Sequence, residues 1–461
     1  MNISGNTKIL GLLGNPVRHT LSPIIHNTLC ECLGLDMCYL PFEVEKDAIG
    51  HAVKGAYALG ITGLNATVPF KEAVIPELVA IDPAADAIGA VNTLVRVDDG
   101  FKGYNTDMEG LRQAVLSEGI SLKGRDVIVL GAGGASRAVC YMCELEGAKR
   151  IFLLNRTLSK AMIIADIINT HFGSDRVIAM ELSGYSKLLE HMDGKCIVFQ
   201  ASSVGLHPHE KEALITDPGF YDHVEIGFDL IYNPAKTRFM ELVGEHGGRA
   251  FNGLKMLLYQ GIIAFSYWSG VELDKLTEYE DVIYEKLYKA IYKKDNIVLI
   301  GFMGAGKTTI GKRLSKKLGY AFVDTDEYIE TREGMKISEI FEKKGEAYFR
   351  NLETEVLKEL MENASKTVFS TGGGLPLREE NARLLRLLGD TVYLRATADQ
   401  IFKRVGKSTN RPLLKCEDPR GRIESLLRER SDKYESCGMR VIDTGALKPD
   451  EIVDLIIEKE I

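Results

Sequence analysis

Eight consecutive residues, Gly301-Phe302-Met303-Gly304-Ala305-Gly306-Lys307-Thr308, fit the pattern G-x-x-x-x-G-K-[ST]. Glycines let successive backbone N–H groups curl around a phosphate, and the start of a helix adds positive potential. A lysine in this place reaches terminal phosphates, and the following hydroxyl can hold Mg2+. The flanks agree. Ile297-Val298-Leu299-Ile300 reads as a buried strand, and Thr309-Ile310-Gly311-Lys312-Arg313-Leu314 opens a helical pattern. Gly304, Ala305, Gly306, Lys307, Thr308 and Thr309 are therefore expected to bind ATP, with Thr308 also on the metal. Only about a third of the chain follows this loop. The long stretch ahead of it needs a different task.

A second glycine-rich turn lies in that stretch. Asp126-Val127-Ile128-Val129-Leu130 reads as a strand and is followed by Gly131-Ala132-Gly133-Gly134-Ala135-Ser136-Arg137. A helix over 135–146 and a strand over 150–154 complete a βαβ unit of about 30 residues, the layout of a dinucleotide site. Gly131, Ala132, Gly133, Gly134 and Ala135 would meet the pyrophosphate, although Ser136 stands where a third glycine is usual. The second strand ends at Asn155-Arg156-Thr157, with Lys160 three residues on, where an NAD site usually carries Asp or Glu for the ribose 2′-hydroxyl. Cations suit a 2′-phosphate, which Arg holds bidentately, so NADP is expected over NAD. The plain alternative is a charged strand end that caps the next helix.

Two further side chains could move a proton. Lys71 closes Asn65-Ala66-Thr67-Val68-Pro69-Phe70-Lys71, and Asp107 closes Asn105-Thr106-Asp107. Hydride transfer to a ketone needs a proton donor for the oxygen that becomes negative. A Lys serves if its surroundings lower its pKa and a carboxylate orients it.

Past the phosphate loop, strand alternation over Phe322-Val323-Asp324-Thr325-Asp326 would send both carboxylates to one side. One of the two can hold Mg2+ through water, and the other can sit at an acceptor hydroxyl. Arg350 and Arg430 offer cations, and Gly372, Gly373 and Gly374 end a strand where a substrate can approach the backbone. Arg411-Pro412-Leu413-Leu414, in a polar stretch with Lys407, Ser408 and Thr409, reads as a mobile lid.

The elements that must carry these residues alternate strand and helix. Strands are expected over 8–13, 37–42, 63–68 and 93–97, and helices over 22–34, 47–59 and 109–118. The pattern turns helical after Asn252, with one helix over 254–268 and another over 276–291. The latter would place Val282, Ile283, Leu287 and Ile291 on one face. The expected domains are 1–107 with 252–292, then 108–251 inserted between them, a linker over 293–296, and 297–461. At 45% hydrophobic and 26% charged residues the composition is ordinary for a globular protein. A net charge of −8 argues against nucleic acid as a partner. No apolar run approaches the ~18 residues a membrane span needs, and the N-terminus reads as a first strand rather than a leader. Eight cysteines, including Cys140-x-x-Cys143 within a helical run, are expected to be reduced structural thiols. A cytoplasmic protein is expected.

Residues 1 to about 290 resemble shikimate dehydrogenase. The resemblance rests, in order, on Gly14-Asn15-Pro16, Leu21-Ser22-Pro23, residues 65–71, Gly89-Ala90-Val91-Asn92-Thr93-Leu94, residues 105–107, residues 131–137 and Asn155-Arg156-Thr157. It implies that Lys71 and Asp107 are the catalytic pair and that Thr20, Ser22, Asn65, Thr67, Asn92 and Gln260 contact shikimate. It also places Tyr232 and Gly253 at the NADP site. Thr20 departs from the serine usual in the family. Residues 295–461 resemble shikimate kinase, which implies that Asp326, Arg350, Gly372, Gly373, Gly374 and Arg430 bind shikimate and that Arg411 covers ATP. The implied fold is α/β throughout: a two-domain dehydrogenase (substrate domain plus Rossmann NADP domain), then a P-loop, nucleotide-monophosphate-kinase-like domain. The implied function is bifunctional: NADPH-dependent reduction of 3-dehydroshikimate, then Mg-ATP-dependent phosphorylation of shikimate. Two other readings are a quinate-directed dehydrogenase fused to a kinase and a fusion with one regulatory, inactive site.

Overall fold

The computed structural model describes residues 3–190, 192, 194–292, 294–405, 418–445 and 447–458. The chain divides into two compact units, Met1–Tyr292 and Lys293–Ile461.

The first unit contains two six-stranded sheets. The earlier sheet is built from β1 (Lys8–Gly14), β2 (Met37–Glu43), β3 (Gly63–Ala66), β4 (Ala80–Ile81), β5 (Thr93–Val97) and β6 (Gly100–Tyr104), in the order β2-β1-β3-β5-β6-β4. Strands β1, β2 and β3 run parallel, while β5 is antiparallel to β3 and to β6. The later sheet comprises β7 (Asp126–Leu130), β8 (Arg150–Asn155), β9 (Val177–Glu181), β10 (Cys196–Gln200), β11 (Val224–Asp229) and β12 (Arg249–Phe251). Its order, β12-β11-β10-β7-β8-β9, is wholly parallel. Strand order reverses at β7 and β10, and the crevice outside such a switch point is where this fold binds ligands. Strand β7 is buried along its whole length, as a central parallel strand with helices on both faces must be.

Two long helices join the sheets. Thr106–Ser117 packs along Leu254–Ser269, and one buried apolar cluster runs from Leu10 and Leu29 through Leu111 and Ile262 to Val127 and Phe199. Gly110 permits this approach. A Cβ there would come within 2.6 Å of the Gln260 backbone nitrogen. The run Ile262-Ile263-Ala264-Phe265 lies buried within the second helix. No helix among the described residues is long and apolar enough to cross a membrane. Cys140 and Cys143 are buried and unpaired, with thiols pushed well above their ordinary range by burial.

The expected single helix over 276–291 is two, Leu273–Thr277 and Glu280–Tyr292. Ile283 and Leu287 are buried as the periodicity requires, but Val282 is 45% exposed. The inward face is the row Ile283, Leu287 and Ile291, and Val282 lies off it.

The second unit has a five-stranded parallel sheet: β13 (Ile297–Ile300), β14 (Ala321–Asp324), β15 (Thr367–Ser370), β16 (Asp390–Arg395) and β17 (Arg440–Asp443), in the order β14-β15-β13-β16-β17. It has its own core, centred on residues such as Leu299, Leu314, Val356 and Leu394. The order sets the carboxyl ends of β14, β15 and β13 side by side, and the residues singled out for chemistry in this unit lie there.

Candidate active sites

In the first unit, a cavity of about 200 Å3 is lined by Ser22, Asn65, Thr67, Lys71, Asn92, Asp107, Tyr232, Gly253 and Gln260, with Leu12, Ala66, Leu230, Met256 and Leu257 supplying apolar wall. These residues come from several pieces of scaffold, among them the start of the helix Ser22–Leu33, the end of β3, the start of Thr106–Ser117 and the helix Leu254–Ser269. Ser22 opens the helix Ser22–Leu33. Asn65 is the third residue of β3, and its amide is held on both sides: Nδ2 donates to Asn92 O (3.0 Å) and Thr93 Oγ1 (3.1 Å), while Oδ1 accepts from the Tyr39 hydroxyl (2.7 Å). Asn92 donates through Nδ2 to Thr106 Oγ1 (3.0 Å) and accepts from the Thr106 N–H (2.7 Å). Buried amides bonded in this way cannot rotate freely, so the polar wall is preorganised.

Lys71 Nζ lies 2.7 Å from Asp107 Oδ2, with side chains 35% and 19% exposed. Lys71 is fixed from behind by a bond from the Val91 N–H to its carbonyl (2.8 Å). Asp107 stands in the first turn of Thr106–Ser117, whose N-cap Asn105 accepts from Met108 N–H (3.1 Å). Thr20 stands behind the wall rather than in it, its hydroxyl donating to Ser22 Oγ (3.3 Å). Tyr232 and Gly253, expected beside the cofactor, line the same cavity as Lys71.

At the β7 crevice, Gly131 has φ +109° and a Cβ there would meet Ala201 O at 3.0 Å. Gly133 caps the helix Gly134–Leu145, and Ser136 is fully buried with its Oγ accepting from Gly133 N–H (3.2 Å). The hydroxyl in place of the third glycine thus ties the turn instead of opening it. Ala132, Gly134 and Ala135 complete the turn with partly open surface. Arg156, Thr157 and Lys160 are exposed at the carboxyl end of β8, and Asn155 Nδ2 donates to Thr157 O (2.9 Å). The helix Leu158–Phe172 has Thr157 as N-cap without a side-chain capping bond.

In the second unit, the loop after β13 holds Gly301, Gly304 and Gly306 at φ +141°, +79° and +106°, values that an L side chain adopts only with strain. Lys307 begins the helix Lys307–Leu318, and its Nζ donates to the carbonyls of Gly301 (2.7 Å) and Phe302 (3.1 Å). Ala305 is buried beneath the loop, and Thr309 lies in the helix's first turn. Thr308 Oγ1 donates to Asp324 Oδ2 (3.0 Å). One hydroxyl and one carboxylate, with phosphate oxygens and water for the rest, suit Mg2+.

The expected strand alternation is corrected here. Strand β14 ends at Asp324, which caps the helix Thr325–Glu333 by accepting from Asp326 N–H (3.2 Å), and Asp326 lies in that helix's first turn. A cap juxtaposes the two carboxylates, not a pleat. Burial, then the Asp324 charge, push Asp326 up to about 6. Gly372 and Gly374 explain themselves by contact. A Cβ on Gly372 would meet Asp326 Oδ1 at 2.4 Å, and one on Gly374 would meet Arg350 Nη1 at 2.6 Å. Arg350 comes from Ile337–Asn363, whose chain kinks at Gly345 (φ +83°). Arg430 comes from Pro419–Cys437 and lies over the Phe302 ring at 5.9 Å, with its Nε buried and unbonded. One turn on, the Tyr434 hydroxyl donates to Gly373 O (2.5 Å), tying this helix to the glycine turn. Arg411 and its neighbours Lys407, Ser408 and Thr409 lie outside the described residues.

Two side chains in contact with the expected site residues escaped sequence reasoning. Glu353, 1% exposed, accepts from Arg350 Nη1 at 2.9 Å and is pushed up to about 7 by burial. Its spacing of three from Arg350 was the available signal. Arg404 donates to Gly304 O (3.2 Å) and Ala305 O (3.1 Å), bracing the phosphate loop from Ala398–Val405. Nothing local marks it in the sequence.

Fold and sites together define a dinucleotide-dependent oxidoreductase joined to a P-loop phosphotransferase. Comparison with known proteins narrows both halves. Family models match residues 12–94 (shikimate dehydrogenase substrate binding domain), 113–214 (shikimate / quinate 5-dehydrogenase) and 303–460 (shikimate kinase). A shikimate dehydrogenase (NADP(+)) of Alkaliphilus metalliredigens is 39% identical over 273 residues, 59% of this chain and 94% of that protein. That of Caldanaerobacter subterraneus subsp. tengcongensis is 38% identical over 289 residues, 62% and 99% respectively. The crystal structure of shikimate 5-dehydrogenase from Listeria monocytogenes, in complex with shikimate and NAD, superposes with a TM-score of 0.56 at 34% identity, covering 60% of this chain and 98% of that one. The chain belongs to the shikimate dehydrogenase family and carries a shikimate kinase domain after it.

Proposed function

We propose that this protein is a bifunctional enzyme of the shikimate pathway, which reduces 3-dehydroshikimate to shikimate with NADPH and phosphorylates shikimate with ATP. For the first step the observation that carries the reading is the Lys71–Asp107 pair, 2.7 Å apart in a cavity walled by fixed hydroxyl and amide groups. Bound NADPH supplies the hydride to the carbonyl carbon. Lys71 gives a proton to the carbonyl oxygen, and Asp107 holds Lys71 in line. Ser22, Asn65, Thr67, Asn92 and Gln260 orient the ring hydroxyls and carboxylate, with Thr20 fixing Ser22 from behind. Tyr232 and Gly253 shape the side from which the nicotinamide approaches. Arg156, Lys160 and Thr157 take the 2′-phosphate, supported by the NADP(+) in the names of the sequence relatives.

For the second step the carrying observation is that Asp326 and Arg350 press against Gly372 and Gly374, beside the phosphate loop. Backbone N–H groups of residues 304–309 and Lys307 hold the phosphates. Thr308 and Asp324 would hold Mg2+, which neutralises phosphate charge when bound. Asp326 orients the accepting hydroxyl; Arg350 and Arg430 clamp the carboxylate. Arg411 closes over ATP. The two activities divide at residues 293–296, with the dehydrogenase itself split into 1–107 plus 252–292 and 108–251.

A coupled assay tests the whole reading. Given 3-dehydroshikimate, NADPH and Mg-ATP, the full chain should yield shikimate 3-phosphate. Shikimate that accumulates unphosphorylated would refute the kinase assignment, and a kinetic preference for quinate would refute the substrate of the first step.

A further inference from the structure

The last residue of the first unit, Tyr292, reaches the wall of the dehydrogenase cavity. Its hydroxyl donates to the carbonyl of Tyr232, whose residue lines that cavity. Asn252 meets it there: Nδ2 lies 3.4 Å from the Tyr292 hydroxyl and 2.9 Å from Ala235 O, while Oδ1 accepts from Leu254 N–H (3.1 Å). Leu254 starts the helix that carries Met256, Leu257 and Gln260 into the cavity. Gly253, between them, donates to Ile231 O (3.0 Å) and has no room for a Cβ, which would meet Leu230 O at 2.1 Å. The 230–235 segment, which leaves β11 of the later sheet, and the start of Leu254–Ser269, which packs beside the earlier one, are therefore knotted at a single point. Tyr292 is the outer strap of that knot.

The strap is anchored along its own helix. Tyr284, Tyr288 and Tyr292 fall four residues apart, with the Tyr284 and Tyr288 rings stacked at 6.2 Å and Tyr288 edge-on to Tyr292 at 4.6 Å. All three pack against the unit's main apolar cluster. The phenol of Tyr292 is pushed up by burial, so it keeps its proton and remains a donor at every physiological pH. A hydrogen bond to this carbonyl restrains the planar peptide unit that follows Tyr232, and with it the angle at which Tyr232 enters the cavity.

We propose that Tyr292 is a positioning residue for the dehydrogenase reaction: it sets the Tyr232 wall against the Gln260 helix, and the chain that leads to the kinase departs from that same residue. The proposal rests on the cavity being the site of shikimate oxidation and 3-dehydroshikimate reduction. In the full-length protein, Tyr292→Phe keeps the ring and its packing but removes the donor. Losing one hydrogen bond of ordinary strength should raise KM for shikimate about three- to tenfold, with a smaller change in kcat and with shikimate phosphorylation unaltered. Amide hydrogen exchange at Ile231 and Gly253 should speed up in the same variant. A purely structural role would lower the thermal midpoint and the active fraction while leaving KM and exchange at those two amides as in the wild type, and that result would overturn the proposal. So would a variant identical to wild type in all four measurements. If the wild-type protein itself fails to oxidise shikimate, the functional reading falls, and the exchange data alone then decide whether Tyr292 orders the loop.

Discussion

Asp326 is a carboxyl group placed where its charge is costly. Burial and the neighbouring Asp324 raise it from 3.8 to about 6. Below pH ~4 it is neutral folded or unfolded. Between ~4 and ~6 the unfolded chain ionises first, so the folded state loses stability as pH rises, and above ~6 the loss is complete. Asp326→Asn should therefore stabilise the kinase unit at pH 7 by on the order of 1–2 kcal/mol after allowance for solvent screening, while phosphorylation is lost. Calorimetry would follow the transition that Mg-ADP shifts, and the gain should shrink toward pH 5. A variant that is both inactive and less stable would mean that the charge is compensated by Arg350 and Lys307. Arg156 is the opposite case, a cation at the open end of β8. Arg156→Asp should weaken NADPH about 10- to 100-fold and NADH far less, measured as separate KM values; equal weakening would refute contact with the 2′-phosphate.

Elements decide whether such residues meet. Gly110 and Gln260 belong to helices that touch backbone to backbone, so Gly110→Ala must push Leu254–Ser269 outward. The expected result is a loss of about 1–3 kcal/mol in the first unit and a rise in KM for shikimate, read by thermal melts and initial rates. Gly374→Ala contrasts with it, because the added methyl meets only the flexible end of Arg350. Stability should hardly change, whereas KM for shikimate in the kinase reaction should rise; an unchanged KM would show that Arg350 does not need its position. This scale also marks how far the sequence could be read. Strands bounded by glycine-rich turns, β7 and β13 above all, were legible because buried parallel strands are continuous apolar runs. The polar residues of the cavity wall were legible through the resemblance, although Thr20, named with them, does not line the cavity and the apolar wall was not foreseen. Strands β4 and β6 were not, since Gly100-Phe101-Lys102-Gly103-Tyr104 has weak strand propensity and forms by pairing with β5. The Asp324–Asp326 geometry was misread because a capping aspartate can end a strand one residue before alternation would be noticed. Arg404 was invisible because it works by reaching carbonyls 100 positions away.

At the scale of the molecule, two units with separate cores put two sites on one chain, and the product of the first is the substrate proposed for the second. Reduction of a ketone by NADPH is reversible, and phosphoryl transfer from ATP draws it forward by removing shikimate. That coupling is mass action and needs no passage between sites. It follows that the halves should be separable by point changes. Lys71→Ala should lower reduction by about 10^2- to 10^4-fold and leave phosphorylation of added shikimate intact, while Lys307→Ala should do the reverse. The decisive measurement mixes the two variants. If shikimate travels through solution, equal amounts of the Lys71→Ala and Lys307→Ala proteins should convert 3-dehydroshikimate to shikimate 3-phosphate with the same lag as wild-type chains at matched active-site concentration. A longer lag in the mixture would mean that a shared chain hands its intermediate on directly. Loss of both activities in either variant would mean that the two units work only as one.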